Sequence, residues 1–143
     1  MTGCVDDYMV VCEPTARGRR IYSAKDLIVY QKAYDLAMRI YRVSSNFPSG
    51  ERYSLTDQVR RACRSTCTNL REAWAKRRYE AHFTSKLTDC DGENAEIDTW
   101  LDFAMDCGHI SAAEHRELVA LQDEVGRMLG AMIQNPAPFI INR

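Results

Sequence analysis

Proline and glycine are scarce in this 143-residue chain, at four and seven residues. The prolines stand at Pro14, Pro48, Pro136 and Pro138, so none interrupts a helix between Pro48 and Pro136. That span is over half the protein and points to an all-α fold. No run approaches the roughly 18 consecutive apolar residues that a membrane span requires. Asp6 and Asp7 stand where a secretory signal would place positive charge and an apolar stretch. A cytoplasmic protein is expected, with its six cysteines (Cys4, Cys12, Cys63, Cys67, Cys90 and Cys107) as reduced thiols. Also missing are a phosphate-binding loop and a nucleophile set beside a base, so little chemistry is expected.

What remains is sufficient for one domain with a real core, since 45% of the residues are hydrophobic and 27% charged. The net charge of −1 hides a segregation. Arg52 to Arg78 holds eight basic and two acidic residues, whereas Asp89 to Glu124 holds eleven acidic residues and only Arg116. Such a chain can pair its halves within one bundle or between subunits, or offer a basic face to nucleic acid.

Residues 1–21 show no periodicity and read as a flexible N-terminal arm. Ser23-Ala-Lys-Asp26 then has the form of a capping box. Leu27, Tyr30, Tyr34, Ala37, Ile40 and Tyr41 follow at helical spacing, up to a stop at Phe47-Pro48-Ser49-Gly50. Ser54-Leu-Thr-Asp57 repeats the start signal. A second helix is expected to turn Leu55, Val59, Ala62, Cys63, Thr66, Leu70, Ala73 and Trp74 inward. Lys76, Arg77 and Arg78 suit its last turn, where cations complement the helix dipole.

A third helix from about Tyr79 aligns Phe83, Leu87, Cys90, Asn94, Ile97, Leu101, Ala104 and Met105, with Gly108 as its left-handed stop. Ser111-Ala-Ala-Glu114 caps a fourth, which carries Leu118, Leu121, Val125, Met128, Leu129, Met132 and Ile133 and ends at Pro136. The architecture expected for residues 22–134 is an antiparallel up-down-up-down four-helix bundle. The tail, residues 135–143, carries Phe139-Ile-Ile141, which must dock on the bundle or on a partner to avoid exposure.

Arg60, Arg61, Arg64 and Arg71, with Lys76, Arg77 and Arg78, are the candidate contacts to nucleic-acid phosphates. The competing reading is a solvated face or salt bridges to the acidic helices. No aromatic residues interleave with these arginines as a base-stacking platform would require, which argues against single-strand recognition. Gln58, Ser65, Asn69 and Glu72 recur on the second helix and are expected to hold a neighbouring helix in register, within or between subunits. Gly92, which costs about 1 kcal/mol in a helix interior relative to Ala, is assigned to a helix crossing or a subunit contact. Trp74 and Trp100 are core or interface residues. Cys63 and Cys67 share a face at i, i+4, but a zinc site needs further soft ligands at matching spacing, and core packing is the preferred reading. Glu93 and Glu96 lack the Glu-x-x-His pairs of a di-iron bundle. No metal or cofactor is expected.

Several segments together resemble the bacterial four-helix-bundle family that includes proteins encoded in intervening sequences of 23S rRNA genes. The resemblance rests first on Asp26-Leu27, Val29-Tyr-Gln-Lys-Ala33, Phe47-Pro48, Glu51-Arg-Tyr-Ser-Leu55 and Gln58-Val-Arg-Arg-Ala62. Ser65, Asn69, Glu72, Gly92, Glu96-Ile-Asp-Thr99, Cys107-Gly-His-Ile-Ser111 and Val125-Gly-Arg-Met-Leu129 continue it in order. More distantly, the chain is similar to the accessory variability determinant protein of diversity-generating retroelements. The resemblance implies a homopentamer without catalytic activity, and in the retroelement relative the binding of nucleic acid and a reverse transcriptase. Its motifs cover Glu96 with the register residues. Three positions depart from the family pattern. Cys67 stands where Pro is common and Ala73 where Gly is usual, so the second helix should run unbroken; Tyr79 replaces a capping serine.

Overall fold

The structure is a computed structural model that describes residues 21–141. The expected arm lies outside the described residues except for Ile21, as do Cys4 and Cys12. Among the described residues four long helices form the molecule: α1 (Ile28–Ser44), α2 (Asp57–Ala75), α3 (Glu80–Asp106) and α4 (Ala112–Gln134). No strand occurs among these residues. Each helix packs on its neighbour in the chain, and α1 closes the bundle against α4.

Two apolar clusters stack along the bundle. One joins Val29 and Ala33 of α1, Leu70 and Ala73 of α2, Phe83 and Leu87 of α3, and Leu129 and Met132 of α4. The other joins Leu36 and Ile40, Val59 and Ala62, Ile97 and Leu101, and Leu118. The start of α1 thus shares a level with the end of α2, the start of α3 and the end of α4, so successive helices run antiparallel. Between the clusters lies a polar level. Buried Asn94 donates from Nδ2 to the Gln122 carbonyl (3.0 Å), and Gln122 returns a bond from Nε2 to the Asn94 carbonyl (3.1 Å). Thr66, also buried, spends its hydroxyl on the Ala62 carbonyl of its own helix.

The start signals fared unequally. Ser111 makes the expected capping box with Glu114 at the start of α4. Ser23 makes one with Asp26, but it closes a short 3-10 turn, Ala24–Asp26, and α1 begins only after Leu27 with no side-chain cap. Ser54 caps nothing. It lies within a π-helical turn, Arg52–Thr56, that leads into α2, and its hydroxyl donates to Glu51 Oε1 (3.0 Å). α2 runs unbroken to Ala75, as Cys67 and Ala73 allow, and Tyr79 precedes α3 without a side-chain cap. Gly108 stops α3 with φ 78°, in the left-handed region that a Cβ disfavours.

The inward stripe of α1 differs from the expected one. Val29, Ala33, Leu36, Ile40 and Ser44 are buried, while Tyr34 and Tyr41 are 53% and 44% exposed. Stepping one residue rotates a helix face by about 100°. The tyrosine series has the same period as the true core series, and the aliphatic set wins because it fills the bundle interior without desolvating hydroxyls.

Gly92 also departs from expectation. It is exposed, and a Cβ placed on it would meet nothing within 4 Å, so no helix among the described residues crosses there. The close approach is at Gly126, where a Cβ would come within 3.2 Å of the Asn94 amide nitrogen. Gly92→Ala should therefore raise the unfolding free energy by about 1 kcal/mol, the helix-propensity difference, in equilibrium urea denaturation. A loss of stability on that substitution would mean that Gly92 is covered in an assembly.

The C-terminal tail docks on its own bundle. After Pro136 a 3-10 turn, Ala137–Phe139, buries Phe139 beside Phe83 with ring centroids 6.0 Å apart. The Ile141 amide then donates to the Arg77 carbonyl (3.1 Å).

Candidate nucleic-acid interface

The basic residues of α2 divide by what holds them. Arg60 points across to the end of α1. Its Nε donates to Ser44 Oγ (2.8 Å), a second nitrogen reaches Ser45 Oγ and the Tyr41 carbonyl (both 3.3 Å), and the guanidinium lies 4.5 Å from the Tyr41 ring centroid. It therefore serves as a C-terminal cap for α1, where carbonyls lack intrahelical donors. Arg61 faces α3 and sits 3.7 and 3.8 Å from Glu93 and Glu96. Arg77 stacks 3.6 Å over the Trp74 ring and donates to the Trp74 carbonyl (2.8 Å). It follows the last turn of α2 instead of lying in it, as do Lys76 and Arg78. Arg64, Arg71, Lys76 and Arg78 are exposed and make no ion pair among the described residues.

Two open depressions meet along α2. One, of about 530 Å³, lies between α1 and α2 and is lined by Tyr30, Tyr34, Met38 and Tyr41 from one side and Arg60, Arg64 and Thr68 from the other. The other, of about 510 Å³, is lined by Asp57, Arg60, Arg61, Arg64, Ser65 and Thr68. Arg60 and Arg64 border both. Aromatic rings thus do interleave with the arginines, but across helices. The expectation that no aromatic residues interleave with these arginines is corrected, because the misassigned face of α1 concealed the tyrosines. Tyr30 and Tyr34 already stack on each other, centroids 6.2 Å apart. Cys63 and Cys67 form part of the groove's floor, and burial pushes their thiols up to about 12 and about 11, so they are inert there.

Of the register residues, Ser65, Asn69 and Glu72 act together. Asn69 Nδ2 donates to Ser65 Oγ (3.0 Å), and Lys86 of α3 reaches Asn69 Oδ1 (3.4 Å) and Glu72 (2.8 Å). Lys86 was absent from the sequence-based set, although it lies where a cation opposite Glu72 would be needed. The pair holds the Glu72 carboxyl below its usual value and the Lys86 ammonium above its own, in each case chiefly through the hydrogen bond between them. The tie is therefore complete from mildly acidic to mildly basic pH. It weakens as pH falls through Glu72's depressed value or rises through Lys86's raised one. Glu96 reaches α2 only through Arg61. Among the described residues Gln58 ties no second helix: its amide donates to the Tyr53 carbonyl (3.4 Å) in the turn preceding α2.

Charge segregation is thus partly resolved inside the bundle, by Lys86 with Glu72, Arg61 with Glu93 and Glu96, and Lys32 with Glu124 between α1 and α4 (2.8 Å). Such exposed pairs are screened by solvent and set alignment more than stability. Trp74 and Trp100 are half-buried against the two apolar clusters, and Trp100 Nε1 has no hydrogen-bond partner.

A family model described as 23S rRNA-intervening sequence protein matches residues 25–131, which is α1 through most of α4. The chain belongs to that family. A solved structure with the same fold is a protein of unknown function from the S23 ribosomal protein family of Bacteroides thetaiotaomicron VPI-5482, determined at 1.70 Å. It is 22% identical, with a TM-score of 0.69 over 76% of this chain and 96% of the other. No curated protein matches the chain significantly. Membership spans the groove and the register network alike, since both are built from residues between Lys25 and Ala131. No described helix of this family member is long and apolar enough to cross a membrane.

Proposed function

We propose that the chain is a non-enzymatic, cytoplasmic, self-assembling bundle, a homopentamer, that acts as a scaffold for nucleic acid and for a protein partner such as a reverse transcriptase. The observation that carries this reading is the groove between α1 and α2, where exposed Tyr34 and Tyr41 face Arg60 and Arg64. Rings give bases a stacking surface and arginines give phosphates a cation, the combination used by single-strand binders. Exposed Tyr34, Met38 and Tyr41 form one stripe on α1, an apolar surface that association of subunits would also cover. The second reading is a protein–protein adaptor without nucleic-acid contact. It is favoured by the pairing of Arg61 with Glu93 and Glu96, which removes one cation from the basic face.

Light scattering tests the assembly: five-subunit mass is expected, and a monomer at working concentration would overturn it. Gel shifts with single-stranded RNA and DNA across a salt series test the rest. Binding should weaken steeply with salt, and Arg64→Glu with Arg71→Glu should reduce the logarithmic salt slope by about 1 per arginine. Absence of binding at low salt would leave the adaptor.

A further inference from the structure

At the end of the bundle away from the docked tail, two loops bring together three metal-ligating side chains. Glu51 closes the 3-10 turn Ser49–Glu51 before α2, and Cys107 and His109 flank Gly108 in the α3–α4 turn. One ligand atom from each, a carboxylate oxygen, a thiol sulfur and an imidazole nitrogen, all lie within 4.8 Å of one another. We propose that Glu51, Cys107 and His109 form a binding site for a zinc-class divalent ion, with a fourth coordination position open to water or to a ligand from a partner.

The geometry favours this over a chance meeting of polar groups. Glu51 and His109 are already in contact, Oε2 to Nε2 at 2.9 Å. The other carboxylate oxygen is held by the Ser54 hydroxyl at 3.0 Å, and the imidazole packs on the Phe47 ring with centroids 5.6 Å apart. Glu51 thus has a hydrogen-bonded outer partner of the kind that orients a metal ligand, and His109 is oriented by ring packing. Gly108 supplies the left-handed turn that lets residues two apart converge on one point.

Cys63, Cys67 and Cys90 are buried, with thiols that burial pushes up to about 12, about 11 and about 12, whereas Cys107 is exposed and accessible to an ion. Bonds of about 2.0–2.3 Å in a tetrahedron place ligand atoms about 3.5 Å apart. From the present arrangement the Glu51–His109 contact would lengthen and the Cys107 sulfur draw in to reach that spacing. Mixed sulfur, nitrogen and oxygen donors select zinc or cobalt over magnesium and calcium. On binding, the thiol proton leaves to solvent, so affinity rises with pH.

Cobalt(II) serves as the spectroscopic probe, on the full chain under reducing conditions. The expected result is one cobalt per chain with a thiolate charge-transfer band, displaced by zinc, and a zinc-dependent rise in Tm. Cys107→Ser should abolish the band, and His109→Gln should weaken cobalt binding by more than about tenfold, the loss that even an outer-shell change causes. Cys63→Ser and the double variant Cys4→Ser with Cys12→Ser should keep it. Folding of each variant is checked by circular dichroism. A band that survives Cys107→Ser, a band that depends on Cys4 or Cys12, or no band and no Tm shift at micromolar metal would overturn the site. In the last case the three groups are a hydrogen-bonded pair with an adjacent thiol.

Discussion

Phe83→Ala is expected to lower the unfolding free energy by about 3–5 kcal/mol, the range for removing a large aromatic from a packed core. Phe83 is wholly buried in the cluster at the terminal end of the bundle. Its ring also meets Phe139, so the substitution removes the surface on which the tail docks. The loss therefore has two parts, a cavity among Leu87, Leu129 and Met132 and a released 3-10 turn. Equilibrium urea denaturation measures their sum, and a midpoint close to that of the native chain would show that the tail contributes nothing and that the cluster collapses to fill the gap.

Arg60→Ala should cost about 2 kcal/mol, because the side chain makes charge-assisted hydrogen bonds worth about 1.5–3 kcal/mol. It satisfies the Ser44 and Ser45 hydroxyls and a carbonyl at the end of α1, and it lies over Tyr41. From sequence, Arg60→Glu would be expected to affect only ligand binding. The structure predicts that it also frees the last turn of α1 and places a carboxylate beside the carbonyls it had capped. Arg60→Lys should recover part of the loss, since an ammonium keeps the charge without the planar fork. Urea denaturation of the three variants checks the ranking, and Arg60→Ala as stable as the native chain would refute the capping role. Arg64, which has no such duty, is the cleaner probe of binding.

Most of the architecture was legible because three helices carry unambiguous stripes. In α3, Phe83, Leu87, Cys90, Asn94, Ile97, Leu101 and Ala104 are buried as expected, and of the inward set only Met105 is half-buried. The first helix misled because two stripes of equal period, one aliphatic and one aromatic, lie a residue apart, and hydrophobicity alone does not rank tyrosine against valine. Ser54 misled because the capping-box pattern is local, whereas its hydroxyl follows Glu51 in a π-helical turn.

At the candidate site, Ser65, Asn69 and Glu72 could be chosen from spacing, but Lys86, the partner of Asn69 and Glu72, lies on another helix and has no local signature. The same limit hid the tyrosine–arginine groove and the meeting of Glu51 with His109. Contacts between segments distant in the chain follow from packing, which a single helical wheel does not contain.

The Asn94–Gln122 pair limits how α4 can sit on α3. Aliphatic side chains on these helices would tolerate sliding by one turn, about 5.4 Å, because one greasy contact substitutes for another. The amides are more demanding: after such a slip Asn94 Nδ2 and Gln122 Nε2 lose the carbonyls to which they now donate. The bundle thereby carries an internal notch, close to its midpoint, that rejects near-native misalignments while the chain is still condensing.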